Sequence, residues 1–165
     1  MLETQVKQLS TAFSVHNRKV EAEEREARKT SVIIAGLEEG DDENAVEAVK
    51  TLFTMRLDIQ EPKFDTANRL GRKQSDKHRP IKVKFSSLQE KRLVMERKQS
   101  LKHTGIYINH DLTKLQQERS KKLQEAKKVA MQRYQNQEVR IVKGKLCVDG
   151  QPLSTETFLT LGGNI

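Results

Sequence analysis

Pro80-Ile81-Lys82-Val83-Lys84-Phe85 alternates apolar and basic residues, and this hexapeptide decides how the rest of the chain is read. A period of two places Ile81, Val83 and Phe85 on one face of a β-strand and Lys82 and Lys84 on the other. Just after it, Ser87-Leu88-Gln89-Glu90 has the spacing of a capping box and opens a helix to about Leu101. Ile106-Tyr107-Ile108-Asn109 is the next strand. Upstream, Phe64 to Leu70 reads as a weak strand, joined to the hexapeptide by a basic loop from Gly71 to Arg79. Earlier still, Ser31-Val32-Ile33-Ile34-Ala35-Gly36-Leu37 is a short aliphatic run ended by Glu38-Glu39-Gly40, the signature of a buried strand. Asp41 and Asp42 are placed to cap a helix whose apolar face is Ala45, Val46, Val49, Leu52, Phe53 and Leu57; Pro62 stops that region.

Over residues 31–109 the order is therefore β-α-β-β-α-β, the split-βαβ, ferredoxin-like arrangement on which RNA-recognition motifs are built. Such an order sets strands one and three side by side at the sheet centre, with their outer face open. A standard motif carries stacking aromatics there, whereas this chain has Pro80, Lys82 and Ile33. Tyr107 is the aromatic placed to stack.

Before this block, residues 2–29 lack Gly and Pro. Leu2, Val6, Leu9, Phe13, His16, Val20, Glu23 and Ala27 follow each other at alternating spacings of four and three, a heptad seam. Its second half is weakened by His16 and Glu23. Flanks dense in Glu, Lys and Arg favour self-association over packing of this helix onto its own domain. After the block, Thr113 with Gln116 opens a long basic helix to about Gln135. Val139 to Val142 and Leu146 to Val148 read as a hairpin around Lys143-Gly144-Lys145, Asp149-Gly150 as a further turn, and Thr155 to Leu161 as a short tail element. The expected fold class is α+β with three parts: an oligomerisation helix at 1–29, a noncanonical RNA-recognition motif at 30–110 and a small α+β domain at 111–165.

Charge points to the partner. The chain carries 31 Lys and Arg against 23 Asp and Glu, a net +8. Residues 30–62 hold two cations and eight acids, 63–110 thirteen and four, and 111–165 ten and six. Positive charge concentrated in the middle and C-terminal parts is the footprint of a polyanion ligand. Candidate contacts are Arg69, Arg72, Lys73, Lys77 and Arg79 around the basic loop, and Lys82, Lys84 and Tyr107 on the sheet. A second wall would come from Arg119, Lys122 and Arg133 on the long helix and Arg140 and Lys143 on the hairpin. With this composition, binding should be dominated by the phosphate backbone, salt-sensitive and tolerant of sequence.

Other chemistries find little purchase. Cys147 is the one cysteine, so neither an internal disulfide nor a cysteine-rich zinc knuckle can form. The four histidines are scattered, and none sits in a nucleophile motif. Gly36 to Gly40 lacks phosphate-loop spacing. The acids from Glu38 to Glu43 lack the spacing of a calcium loop, and they read as a solvated cap set apart from the basic surface. Neither enzyme activity, cofactor nor metal is expected, and there is no signal peptide or long apolar run to place the chain in a membrane.

Taken in succession, several segments resemble one known family, the first-open-reading-frame proteins of LINE-type non-LTR retrotransposons. They are Arg28-Lys29-Thr30-Ser31-Val32-Ile33-Ile34-Ala35-Gly36-Leu37-Glu38-Glu39, Ala67-Asn68-Arg69-Leu70-Gly71, the stretch Arg79 to Phe85, Asp111-Leu112-Thr113, and Lys145-Leu146-Cys147-Val148-Asp149-Gly150. The resemblance implies a homotrimer through the coiled coil, with RNA held between the recognition motif and the C-terminal domain. It implies a nucleic-acid chaperone that coats the element's transcript as a ribonucleoprotein in the cytoplasm, with the nucleus as a second location. Single-stranded DNA would be a further ligand. By position it makes Arg79 the foremost RNA contact, followed by Arg69 and the start of the basic helix. The competing expectation is a coiled-coil assembly module whose ferredoxin-like domain binds protein.

Overall fold

The computed structural model describes residues 1–74 and 76–160, without the side chains of Thr155, Glu156 and Leu159. The chain is a mixed α+β protein with a long N-terminal helix and antiparallel sheets. It divides into two compact units, Met1–Asp111 and Leu112–Ile165.

In the first unit α1 (Leu2–Arg28) is followed by β1 (Ser31–Ala35), α2 (Ala45–Leu57), β2 (Thr66–Arg69), β3 (Ile81–Lys84), α3 (Leu88–Arg97), a 3-10 turn (Lys98–Leu101) and β4 (Tyr107–His110). The four strands form one antiparallel sheet in the order β2-β3-β1-β4. β1 and β3 occupy its centre, as the order of elements requires. Alternation along each strand divides the two faces. Val32, Ile34, Ala67, Ile81, Val83 and Ile108 are buried with Val49, Leu52, Phe53 and Leu57 of α2 and Val94 of α3. Phe53 stacks on Phe85 at 6.2 Å and meets Phe64 edge-on at 6.1 Å, so three rings seal the core below β3.

Local chemistry sets the ends of these elements. Ser87 accepts from the Glu90 amide at 3.3 Å while Glu90 accepts from the Ser87 amide at 3.2 Å, the capping box legible in the sequence. α2 departs from expectation. Its cap is Asn44, whose Oδ1 accepts from the Val46 amide at 3.0 Å, and not Asp41 or Asp42. Asn44 is the residue with extended backbone immediately before the first helical turn, which a side-chain cap requires. Gly36 follows β1 at φ +82°, and a Cβ there would lie 2.1 Å from the Gly105 carbonyl oxygen. Only a glycine lets the two loops meet this closely.

α1 runs 27 residues, about 40 Å at the usual helical rise, and buries none of them. Leu2, Val6, Leu9, Phe13 and Val20 of the seam are all exposed, Phe13 by 67%. His16 lies on the same exposed surface. Among the described residues no helix is long and apolar enough to cross a membrane.

The second unit is built on α4 (Lys114–Arg133), opened by a capping box in which Thr113 Oγ1 accepts from the Gln116 amide at 3.2 Å. Ala126 and Ala130 pack against Val139, Leu146 and Val148 of an antiparallel sheet, β5 (Val139–Val142), β6 (Lys145–Val148) and β7 (Gln151–Pro152). Positive φ at Lys143 and Gly144 makes the first turn a two-residue hairpin loop. Lys145, expected in that turn, is the first residue of β6 and pairs with Val142. α5 (Thr155–Thr160) follows, and Leu161, expected to end that element, lies outside the described residues.

Candidate nucleic-acid interface

Because α2 and α3 cover one face of the four-stranded sheet, the opposite face is open over most of its area. Register assembles its rows. Asn68, Lys82, Ile33 and Asn109 form one row across β2, β3, β1 and β4. Thr66, Lys84 and Ser31 form the next, and Ala35 with Tyr107 a third. Lys84 is exposed and has no ion-pair partner among the described residues; Tyr107 is 65% exposed. An ammonium, a phenol ring and two amide side chains on one flat surface can engage phosphate, base faces and base edges together.

The basic loop behaves differently from its sequence reading. The acids from Glu38 to Glu43, expected to stand apart from the basic surface, are folded against it. Arg69 has a side chain only 7% exposed and gives Nε and Nη2 to the Glu43 carboxylate at 2.8–3.1 Å. Its remaining donors go to the carbonyls of Leu37, Glu38 and Arg79. Arg79 gives Nε and Nη2 to Glu39, Nη1 to the Gly71 carbonyl at 3.0 Å, and its own amide to Glu39 Oε2 at 3.2 Å. Lys73 reaches Asp41 at 2.7 Å. The Arg79 guanidinium holds the Glu39 carboxyl down to about 2, against an opposing push from burial. Arg69 and Arg79 are thus braces that tie the 70–79 loop to the 38–43 loop. Of the loop's other cations, Arg72 and Lys77 are exposed and unpaired among the described residues.

A further knot lies where α1 meets the sheet. Lys82 Nζ forms an ion pair with Asp111 Oδ2 at 2.8 Å, and Arg28 gives Nη1 to Asp111 Oδ1 at 3.2 Å. Lys91, nearly buried, donates to the Lys29 carbonyl at 2.7 Å, where the C-terminal end of α1 favours a cation. Burial lowers the Lys91 pKa, with the nearby Asp111 charge acting the other way. Asp111 and Lys91 escaped the sequence reading; the adjacency of β1 and β4 was the available signal that an acid after β4 would meet the base of α1.

In the second unit Arg119 and Lys122 of α4 stand with Lys145 around a groove of about 670 Å³ floored by Leu123, Leu146, Leu153 and Phe158. Arg133 and Lys143 are exposed outside that groove lining, and Arg140 pairs with Glu138. Among the described residues no cluster of three or more His, Cys, Asp or Glu is disposed to hold a metal. No protein-family model matches this chain, and no curated protein matches it.

Proposed function

We propose that this protein binds single-stranded nucleic acid, RNA foremost, through the open face of the four-stranded sheet, and that α1 gathers several copies. The observation carrying the reading is that face itself: Asn68 on β2, Lys84 on β3, and Tyr107 and Asn109 on β4 stand exposed on one face of a sheet ordered β2-β3-β1-β4. That order is the one expected of a ferredoxin-like RNA-recognition motif, with charge in place of its usual aromatic pair. The exposed cations Arg72 and Lys77 flank the face along the strand-three loop, and the basic rim of the second unit adds Arg119, Lys122 and Lys145. Lys82, Arg79, Lys73 and Arg140 enter the interface only by exchanging a carboxylate for a phosphate.

A retrotransposon-type ribonucleoprotein and chaperone function follows from the resemblance of the motifs, and it suits this surface. Weak, sequence-tolerant contacts repeated on each copy of an oligomer coat a long strand while letting it rearrange, because avidity replaces individual affinity. The test is binding of a fluorescent oligouridylate across a salt series. Lys84→Ala should weaken binding to unrelated sequences by a similar factor.

A second reading, an assembly module that binds protein, is favoured by one observation: the acids at 39, 41 and 43 already occupy Arg79, Lys73 and Arg69. It predicts self-association through α1 with no affinity for the oligonucleotide at low salt.

A further inference from the structure

Two cations converge on the single carboxylate of Asp111. Arg28 and Lys82 both reach the one carboxylate, and Lys91 stands nearby on the Lys29 carbonyl. Asp111 is enclosed, with a side chain 4% exposed, while Arg28 and Lys82 are 35% and 37% exposed. Both cations are therefore reachable from solvent although their shared acceptor is not. Beside them the Ser31 hydroxyl is fully buried on the same side of the sheet, and its oxygen finds no hydrogen-bond partner among the described residues. A buried hydroxyl without a partner costs stability, so its presence points to an acceptor that is there only part of the time.

We propose that Arg28, Lys82 and Ser31 form a phosphate-binding site at the root of α1, and that Asp111 is its built-in occupant, displaced when a phosphate of the bound strand arrives. This rests on the nucleic-acid reading above. A phosphodiester offers two non-bridging oxygens that share one negative charge, as the two carboxylate oxygens of Asp111 do, so both cations keep an acceptor through the exchange. The two anions repel each other across one pair of cations, so they hold the site alternately. Asp111 thereby lowers affinity for any strand and makes the site selective for ligands that bring further contacts. Because Arg28 is the last residue of α1 and Lys82 lies on β3, a phosphate held here bridges the helix and the sheet.

The experiment follows the Asp111 carboxyl carbon by NMR in the full chain while oligouridylate is added. Its resonance should move in step with binding measured by fluorescence anisotropy. In parallel, Asp111→Asn should bind oligouridylate roughly three- to fivefold more tightly at low salt, the size of one released ion pair. It should also steepen the salt dependence by about 0.7, because counterions and not the Asp111 carboxylate then occupy the site before the phosphate arrives. If the strand binds and the Asp111 resonance stays still, the site is wrong while the nucleic-acid reading stands. If no strand binds at all, both fall. The wild-type titration decides the matter even if the Asn variant fails to fold.

Discussion

Arg69 and Lys84 are both basic residues on neighbouring strands, and the proposed function gives them opposite jobs. Removing Arg69 strands the Glu43 carboxylate and opens three carbonyls, so Arg69→Ala should cost about 3 kcal/mol or more in denaturant unfolding. Lys84→Ala touches no partner in the described structure and should stay within about 0.5 kcal/mol of the parent, while weakening oligonucleotide binding. Equal stabilities for the two variants would contradict this division. Glu39 supplies a pH test. Its folded-state value of about 2 lies below the ordinary 4.5, so the stability that it contributes is present above 4.5 and disappears as pH falls toward 2. Hydrogen exchange of the loops at 38–43 and 70–79 should accelerate, relative to the rest of the sheet, through that acid window. Loops that keep their protection at the acid end would remove Glu39 as their clasp.

At the scale of elements, the strands and helices that announce themselves by periodicity were readable. β3 keeps the two faces that its alternation requires, and the caps at Ser87 and Thr113 depend on residues three apart. What could not be read depends on chain reversals. The bonds from Arg69 to Glu43 and from Arg79 to Glu39 join positions 26 and 40 residues apart, so two charge runs that look independent in the sequence neutralise each other. The cap of α2 was misplaced for a related reason. Asp41, Asp42 and Asn44 are all chemically able to cap, and only backbone conformation selects among them. α1 provides the test at this scale. None of its residues is buried among the described residues and its apolar seam is exposed, whereas most helical stability in proteins comes from packing an apolar face. Phe13→Asp should reduce the mass measured by light scattering to that of a single chain, leaving the fold of the sheet intact by circular dichroism. A parent protein that is already a single chain at micromolar concentration would show that the seam does not drive assembly.

For the whole molecule, the excess of thirteen cations over four acids in residues 63–110 overstates what a ligand would meet there, because acids of residues 30–62 fold against it while the net +8 stays the same. Much of the middle-segment excess that the sequence assigned to binding is spent on internal braces. The cations left on the outside are spread over the sheet face, the strand-three loop and, in the second unit, α4 and its hairpin. Under the proposed function such a surface would bind by charge and shape with little sequence preference, and would gain strength by repetition along a strand. Binding through this surface is tested most directly by the affinity of the full chain for a single-stranded oligouridylate between low and physiological salt. Three phosphate contacts give a slope of log affinity against log salt of about −2, and each further contact adds about −0.7. A slope of that size or steeper, shallower in Lys84→Ala, is the expected result. Binding indifferent to salt, or no binding at low salt, would contradict it.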